Sequence, residues 1–205
     1  VYGYSLVFDT TGMEKGVVNF NSFVGGFGKA FLAGLGTDSL VLGIPESVFI
    51  TFQMTFAVIT PALISGAVAD RMKFAAWAVF IPLWALVVYS PVAHWVFAGG
   101  WLADLGALDF AGGAVVHMNA GAAALALVLL LGRRKGWPET PMPPHNLTMT
   151  MLGTGILWFG WFGFNAGSAL AADGIAAAAF LNTFVAAAAA MIAWLAVEWI
   201  KDGHP

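Results

Sequence analysis

The chain has 205 residues, of which 60% are hydrophobic and 9% are charged, and its net charge is −3. A soluble domain carries about 25% charged residues, so this composition identifies an integral membrane protein. The small negative charge excludes the basic surface that a nucleic-acid partner requires. The chain has no cysteine, which excludes thiolate metal sites and thiol nucleophiles.

The first 45 residues divide into an apolar start and a glycine-rich segment. Residues 1–9, VYGYSLVFD, lack the features of a signal peptide and are typical of the tail of a helix that already crosses the bilayer. We therefore expect the chain to be a fragment, incomplete at both ends. Residues 10–45 hold eight glycines and scattered charges, which predict an extramembrane loop with one short helix.

Five runs with almost no charge follow, each long enough for a helix rising ~1.5 Å per residue to cross a ~30 Å hydrocarbon core. They predict spans over residues 47–69, 74–103, 110–132, 147–172 and 175–200. The second span contains Pro82 and Pro91, which predict a kink, and it should end before Gly99. The predicted fold class is an all-α membrane protein, a polytopic helix bundle of about five full spans and a partial one.

The cations predict which ends of the spans face the cytoplasm. Six of the eight follow the first, third and fifth complete spans, whereas the other two connections between spans have none. These six are Arg71, Lys73, Arg133, Arg134, Lys135 and Lys201. The positive-inside bias therefore places these three ends in the cytoplasm.

One histidine lies well inside an apolar span. A titratable ring at the depth of His117 is expensive unless it faces a bundle interior or a path for something polar. His117 is therefore a functional candidate, and the equally weighted alternative is that it only ties two helices together. The other histidines, His94, His145 and His204, are widely spaced. We expect no metal site and no cofactor, and no catalytic motif indicates an enzyme.

Aromatic and hydroxyl side chains also occur in the spans at helical spacing. Phe52 and Phe56 are four residues apart, as are Phe164 and Ser168, so each pair shares a helix face. With Phe97, they fall in the outer half of the membrane by the orientation above. Aromatic faces attract a desolvated cation, and a hydroxyl oxygen accepts a hydrogen bond from it. The pattern indicates a recruitment site for a small cation, and the alternative is ordinary packing of aromatic rings.

Four runs of the sequence resemble those of one known family. They are FQMTFAVITPALISGAVADRMKF at 52–74, ALDFAGGAVVHMNAG at 107–121, PHNL at 144–147 and WFGFNAGSA at 161–169. Together they resemble the ammonium transporter family of Amt, Mep and Rh proteins, and are closer to its bacterial Amt branch than to Rh. The resemblance implies a fragment of an eleven-helix fold with two five-helix repeats of opposite orientation. It also implies a homotrimer with one pore in each subunit.

The resemblance implies roles for individual residues as well. The residues that match the outer recruitment site for NH4+ are Phe52, Phe56, Phe97 and Ser168. A gate of two stacked phenylalanines matches Phe56 and Phe164, and the first of two pore histidines matches His117. An aspartate near the outer mouth matches Asp109, which we expect to be a structural group at the helix N-terminus.

Two features depart from the family pattern. The position of Phe97 is usually tryptophan in Amt proteins, so we expect a weaker cation site here. The second pore histidine belongs to a later helix of the family fold, beyond residue 205. We therefore expect that the isolated chain does not complete the pore.

The function expected for the parent protein is ammonium transport by a multi-pass protein of the plasma or inner membrane. NH4+ would be recruited at the outer aromatic site and deprotonated, and NH3 would pass a hydrophobic pore containing a histidine. We expect residues 1–205 to form one domain in the lipid bilayer, with a PII-type regulator docking on the cytoplasmic loop at 133–145. The alternatives are an ammonium sensor with a cytoplasmic output and a non-conducting scaffold.

Overall fold

Five helices are long and apolar enough to cross a membrane. The computed structural model describes residues 2–203. Within that range, the five helices are Glu46–Val68, Phe74–Asp104, Gly113–Leu131, Leu147–Gly167 and Gly174–Asp202. Their ends differ from the apolar runs of the sequence by only a few residues. The prediction of an all-α, multi-pass membrane protein is therefore confirmed.

The chain divides into two compact units, Val1–Pro141 and Met142–Pro205. The helices of the first unit are α1 (Tyr2–Phe8), α2 (Glu46–Val68), α3 (Phe74–Trp84), α4 (Ser90–Phe97), α5 (Trp101–Asp104) and α6 (Asn119–Leu131). Those of the second unit are α7 (Leu147–Gly167) and α8 (Gly174–Asp202). That residues 1–205 form one membrane domain stays a prediction.

The glycine-rich segment between α1 and α2 is mostly irregular. In place of the expected short helix it contains two 3-10 turns, Phe20–Ser22 and Ala30–Leu32. It ends in a hairpin of two-residue antiparallel strands, β1 (Leu40–Val41) and β2 (Ile44–Pro45). Glycine at this density disfavours a longer helix because each glycine loses more backbone freedom on ordering than other residues.

A buried carboxylate ties this segment to the end of α1. Asp9 is 4% exposed, and it accepts hydrogen bonds from the Thr11 hydroxyl at 2.6 Å and from the Gly28 backbone N–H at 2.6 Å. The bond from the Thr11 hydroxyl is the largest influence on the Asp9 pKa. With the backbone bonds it lowers that pKa below the ordinary value, although burial opposes the shift.

The kink in the second span takes the form of a π-helical turn at Ala85–Tyr89. Pro91 lies in the first turn of α4 and has no N–H to donate, which interrupts regular α-helical pairing. The backbone N–H and the hydroxyl of Ser90 both donate to the Ala85 carbonyl, the hydroxyl at 2.8 Å. Helix α4 then ends at Phe97.

Helices α2 and α6 pack against each other and are joined at their C-terminal ends. The Arg71 guanidinium donates to the Gly132 carbonyl at 2.6 Å. The Arg134 guanidinium pairs with the Asp70 carboxylate at 3.2 Å. These bonds fix the ends that the charge distribution predicts to be cytoplasmic.

The second unit is a pair of helices, α7 and α8, with polar and aromatic contacts between them. The Asn165 amide donates to the Thr183 hydroxyl at 2.9 Å, and the rings of Phe162 and Phe180 lie 4.4 Å apart. Asp173 caps α8 by accepting hydrogen bonds from two backbone N–H groups of its first turn.

Candidate functional site

Three aromatic rings of the first unit form a cluster. The Phe52 and Phe56 rings lie 4.8 Å apart at 77°, and the Phe56 and Phe97 rings lie 5.9 Å apart at 85°. We call Phe52, Phe56 and Phe97 the aromatic cluster. Phe56 is its centre and is only 1% exposed. These edge-to-face geometries are favoured for aromatic pairs because the ring edge is positive and the face is negative.

Two elements position the aromatic cluster. Phe52 and Phe56 are one helical turn apart on α2, and Phe97 is the last residue of α4. The structure therefore brings together three of the four residues that the sequence assigns to cation recruitment. Aromatic faces attract a cation, and the gain rises from about 0.5 to 2 kcal/mol as the cation is desolvated.

His117 lies on a helix that packs beside α2. It belongs to a π-helical segment, Gly113–Met118, that precedes α6. Its backbone N–H donates to the Gly112 carbonyl, five residues earlier, at 3.1 Å. Helix α2 packs against this segment and against α6. The helix that carries Phe52 and Phe56 is thus the neighbour of the segment that carries the half-buried His117.

Asp109 closes the N-terminus of the same segment. One carboxylate oxygen accepts from the backbone N–H groups of Gly112 and Gly113 at 2.6 and 2.7 Å. The other accepts from those of Ala114 and Val115 at 2.9 Å each. Gly112 has a φ of +96°, a conformation that favours glycine and lets four N–H groups converge on one side chain. All these bonds are charge-assisted, which makes the cap strong.

Phe164 and Ser168 lie in the second unit, on α7 and at its C-terminal end. The Ser168 hydroxyl donates to the Phe164 carbonyl at 2.8 Å. Because its proton is used in that bond, the Ser168 oxygen has lone pairs for a donor such as an ammonium ion. The Phe164 ring lies 5.7 Å from that of Trp161.

The sequence did not reveal the role of His94 in the first unit. This residue is 0% exposed, and its two ring nitrogens lie 2.6 Å from the Val7 carbonyl oxygen and 2.7 Å from that of Asn21. Both partners are backbone atoms, 87 and 73 residues away along the chain. No residue type or spacing signals such contacts, so only coordinates could find them.

Among residues 2–203, no group of three or more His, Asp or Glu side chains is arranged to hold a metal ion. His94 is surrounded by carbonyl oxygens rather than by further ligands. His204 lies outside the described residues.

Comparison with known proteins identifies the family. The model of the Ammonium Transporter Family matches residues 1–205. The chain belongs to this family. An ammonium transporter of Bacillus subtilis is 52% identical over 207 residues, which cover 100% of this chain and 48% of the relative. The family prediction is confirmed, and the chain spans about half the length of the curated relatives it matches.

Solved structures agree with the family and the fold. Mep2 of Candida albicans matches with a TM-score of 0.88 and 39% identity, covering 100% of this chain and 44% of that one. A structure described as a sensor Amt protein matches with a TM-score of 0.81 and 28% identity, covering 97% of this chain and 49% of that one. The family fold is thus shared by proteins described as transporters and by one described as a sensor.

Proposed function

We propose that the protein containing this chain transports ammonium across a membrane. It recruits NH4+ at the aromatic cluster, removes a proton, and passes NH3 along an apolar path beside His117. The observation that carries the proposal is the aromatic cluster on α2 and α4, next to the helix that bears His117. Membership of the ammonium transporter family supports it.

Recruitment depends on replacing the water around NH4+. The half-buried rings of Phe52 and Phe97, which flank the buried Phe56, offer aromatic surface to the cation. The sequence resemblance adds Ser168, whose oxygen accepts a hydrogen bond from an N–H group. The cluster stabilises the cation and presents few hydrogen-bond acceptors. It therefore favours a small ion that can lose its hydration shell.

Deprotonation follows from the apolar surroundings. An ion without a counter-charge is far more costly to bury than a neutral molecule of the same size, so the path beyond the cluster selects NH3. The sequence resemblance assigns the gate to Phe56 and Phe164, and in this proposal NH4+ gives its proton to water on the outer side before NH3 passes. Neutral NH3 then forms a hydrogen bond with His117, the histidine of a span that has no Lys, Arg, Asp or Glu.

The test is the exchange of His117 for alanine in the full-length protein. We expect uptake of radiolabelled methylammonium and the ammonium-evoked current to fall roughly tenfold, as the loss of one hydrogen bond in the path implies. The matched control is Met118→Ala, the next residue, which is 72% exposed and should leave both unchanged. Equal uptake by His117→Ala and wild type at equal protein levels would contradict the proposal.

A second candidate is an ammonium sensor, favoured by the likeness to the sensor Amt protein. A sensor binds ammonium at the same aromatic cluster but uses binding to change a cytoplasmic partner. A transporter moves ammonium across the membrane, whereas a sensor binds it without moving it. If ammonium quenches or shifts tryptophan fluorescence of the reconstituted protein while methylammonium does not accumulate, the sensor is the better description.

Assembly and location complete the proposal. We infer a homotrimer with one transport path in each subunit, placed in the plasma or inner membrane. The basic ends after residues 70 and 132 face the cytoplasm, where the positive-inside bias puts them. A PII-type regulator docks on the loop at 133–145, which offers three consecutive cations, Arg133, Arg134 and Lys135.

A further inference from the structure

His94 is a fully buried polar side chain that the proposed transport path does not use. It lies on α4, three residues before Phe97. Its Nδ1 faces the carbonyl oxygen of Val7, near the end of α1, and its Nε2 faces that of Asn21. A carbonyl oxygen can only accept a hydrogen bond, so a ring N–H of His94 donates to the carbonyl that it faces.

Two hydrogen bonds join the segment 19–23 to the last turn of α4, and Gly100, just after that helix, also lies against the segment. We call residues 19–23 the cap segment. Besides the bond from His94, the Trp95 indole N–H donates to the Phe23 carbonyl at 2.7 Å. Gly100, whose N–H donates to the His94 carbonyl, passes the cap segment so closely that a Cβ would lie 2.8 Å from the Ser22 carbonyl oxygen.

The last turn of α4 is also the turn that presents Phe97 to Phe56. Residues three apart on a helix are neighbours, so the anchor at His94 and the ring of Phe97 belong to one short rigid piece. A helix end without such anchors frays, and a shift of about 1 Å in a binding group is enough to weaken binding strongly.

We propose that His94 is a positioning residue for the aromatic cluster. By joining α1 and the cap segment to α4, it fixes the last turn of that helix and so holds Phe97 against Phe56 for cation recruitment. This inference rests on the proposed function, because it assigns the aromatic cluster to NH4+. A purely structural role differs from it in one measurable respect: it changes the amount of folded protein but not the affinity of the folded molecules.

The experiment separates the two ring contacts in the full-length protein. An asparagine amide lies near the position of Nδ1 and a glutamine amide near that of Nε2. His94→Gln therefore keeps the donor to the cap segment, His94→Asn keeps the donor to α1, and His94→Ala keeps neither. The measurement is methylammonium uptake against concentration, which gives a half-saturating concentration that does not depend on the amount of protein.

We expect His94→Asn and His94→Gln, which each lose one of the two contacts, to raise the half-saturating concentration severalfold. His94→Ala loses both contacts and should raise it about tenfold. The maximal rate per folded molecule should be unchanged in all three.

Trp95→Phe provides a test that leaves the buried ring intact. It removes the indole bond to the cap segment, an exposed contact, and should raise the half-saturating concentration about twofold. The control is Trp77→Phe on α3, whose ring stacks on Phe80 instead, and it should leave the value unchanged. An unchanged half-saturating concentration in both His94→Asn and Trp95→Phe overturns the inference.

Phe97→Ala distinguishes failure of this inference from failure of the proposed function. If Phe97→Ala raises the half-saturating concentration and the His94 and Trp95 variants do not, the cluster binds the cation and the positioning role is wrong. If Phe97→Ala has no effect, or the wild type takes up no methylammonium, the proposed function itself fails and the inference fails with it.

Discussion

By the sequence resemblance, Phe97 occupies a position that is usually tryptophan in Amt proteins. It contributes the third ring of the aromatic cluster, 5.9 Å from Phe56. Tryptophan has a larger π surface than phenylalanine and binds cations more strongly. If the cluster recruits NH4+ as proposed, we expect the smaller ring of Phe97 to bind the cation less strongly than a tryptophan would.

We predict that Phe97→Trp lowers the half-saturating concentration for methylammonium about two- to threefold, since the gain per better ring is about 0.5 kcal/mol. The maximal rate should change little because the substitution acts on binding. Phe97→Leu, which keeps the apolar volume and removes the aromatic face, should move the value in the opposite direction. A lower half-saturating concentration in Phe97→Leu would show that ring chemistry is not what binds the cation.

The lowered pKa of Asp9 leads to a second prediction about a single side chain. Its lowered pKa means that the ionised form is favoured in the folded state. Its stabilising effect is complete above the ordinary aspartate value near pH ~4 and is lost as the pH falls through the lower folded value.

We therefore expect Asp9→Asn to lower the unfolding midpoint at pH 7 and to flatten its decline below pH ~4. The measurement is thermal unfolding of the purified full-length protein across that range. Asp38→Asn, an exchange in the glycine-rich segment between α1 and α2, is the control and should keep the wild-type pH profile. Parallel pH profiles for Asp9→Asn and wild type would contradict the prediction.

At the level of secondary-structure elements, the lengths of the apolar runs were enough to predict the membrane helices. The thickness of the hydrocarbon core sets the smallest number of apolar residues that can cross it, whatever the sequence. The π-helical turns at Ala85–Tyr89 and Gly113–Met118 were not predicted. Neither stretch has polar residues that repeat at helical spacing, so no periodic pattern marks the extra residue. The contacts of His94 were equally hidden, because its partners are backbone carbonyls distant in the sequence.

The two aspartate caps differ in the number of hydrogen bonds they accept, which leads to a prediction about helix stability. Asp109 accepts four backbone hydrogen bonds and Asp173 accepts two. We expect Asp109→Ala to lower the free energy of unfolding by about 2 kcal/mol and Asp173→Ala by about 1 kcal/mol. Denaturant titration of the full-length protein measures both. An equal or larger loss in Asp173→Ala would show that the number of bonds does not decide the strength of the cap.

At the scale of the whole molecule, the charge distribution predicts the orientation in the membrane. The connection around Ala107 carries no cation and should face outward, whereas Lys135 should lie in the cytoplasm. The chain has no native cysteine. Labelling of a single cysteine introduced in this part of the protein therefore shows on which side of the membrane that residue lies.

We expect a membrane-impermeant maleimide, added to intact cells, to label Ala107→Cys and not Lys135→Cys. Both should be labelled once the cells are permeabilised, which controls for the reactivity of each site. Labelling of Lys135→Cys alone in intact cells would reverse the orientation and move the aromatic cluster to the cytoplasmic side.

The π-helical segment that holds His117 has a consequence for protein engineering. Each residue of a helix turns the chain by ~100°, so deleting one residue from Gly113–Met118 would rotate Asp109 and α6 relative to each other by about that angle. A histidine placed alone in a regular α-helix would therefore point in a different direction from His117. To keep its orientation, the whole stretch from Asp109 to Met118 must be transferred with no residue deleted.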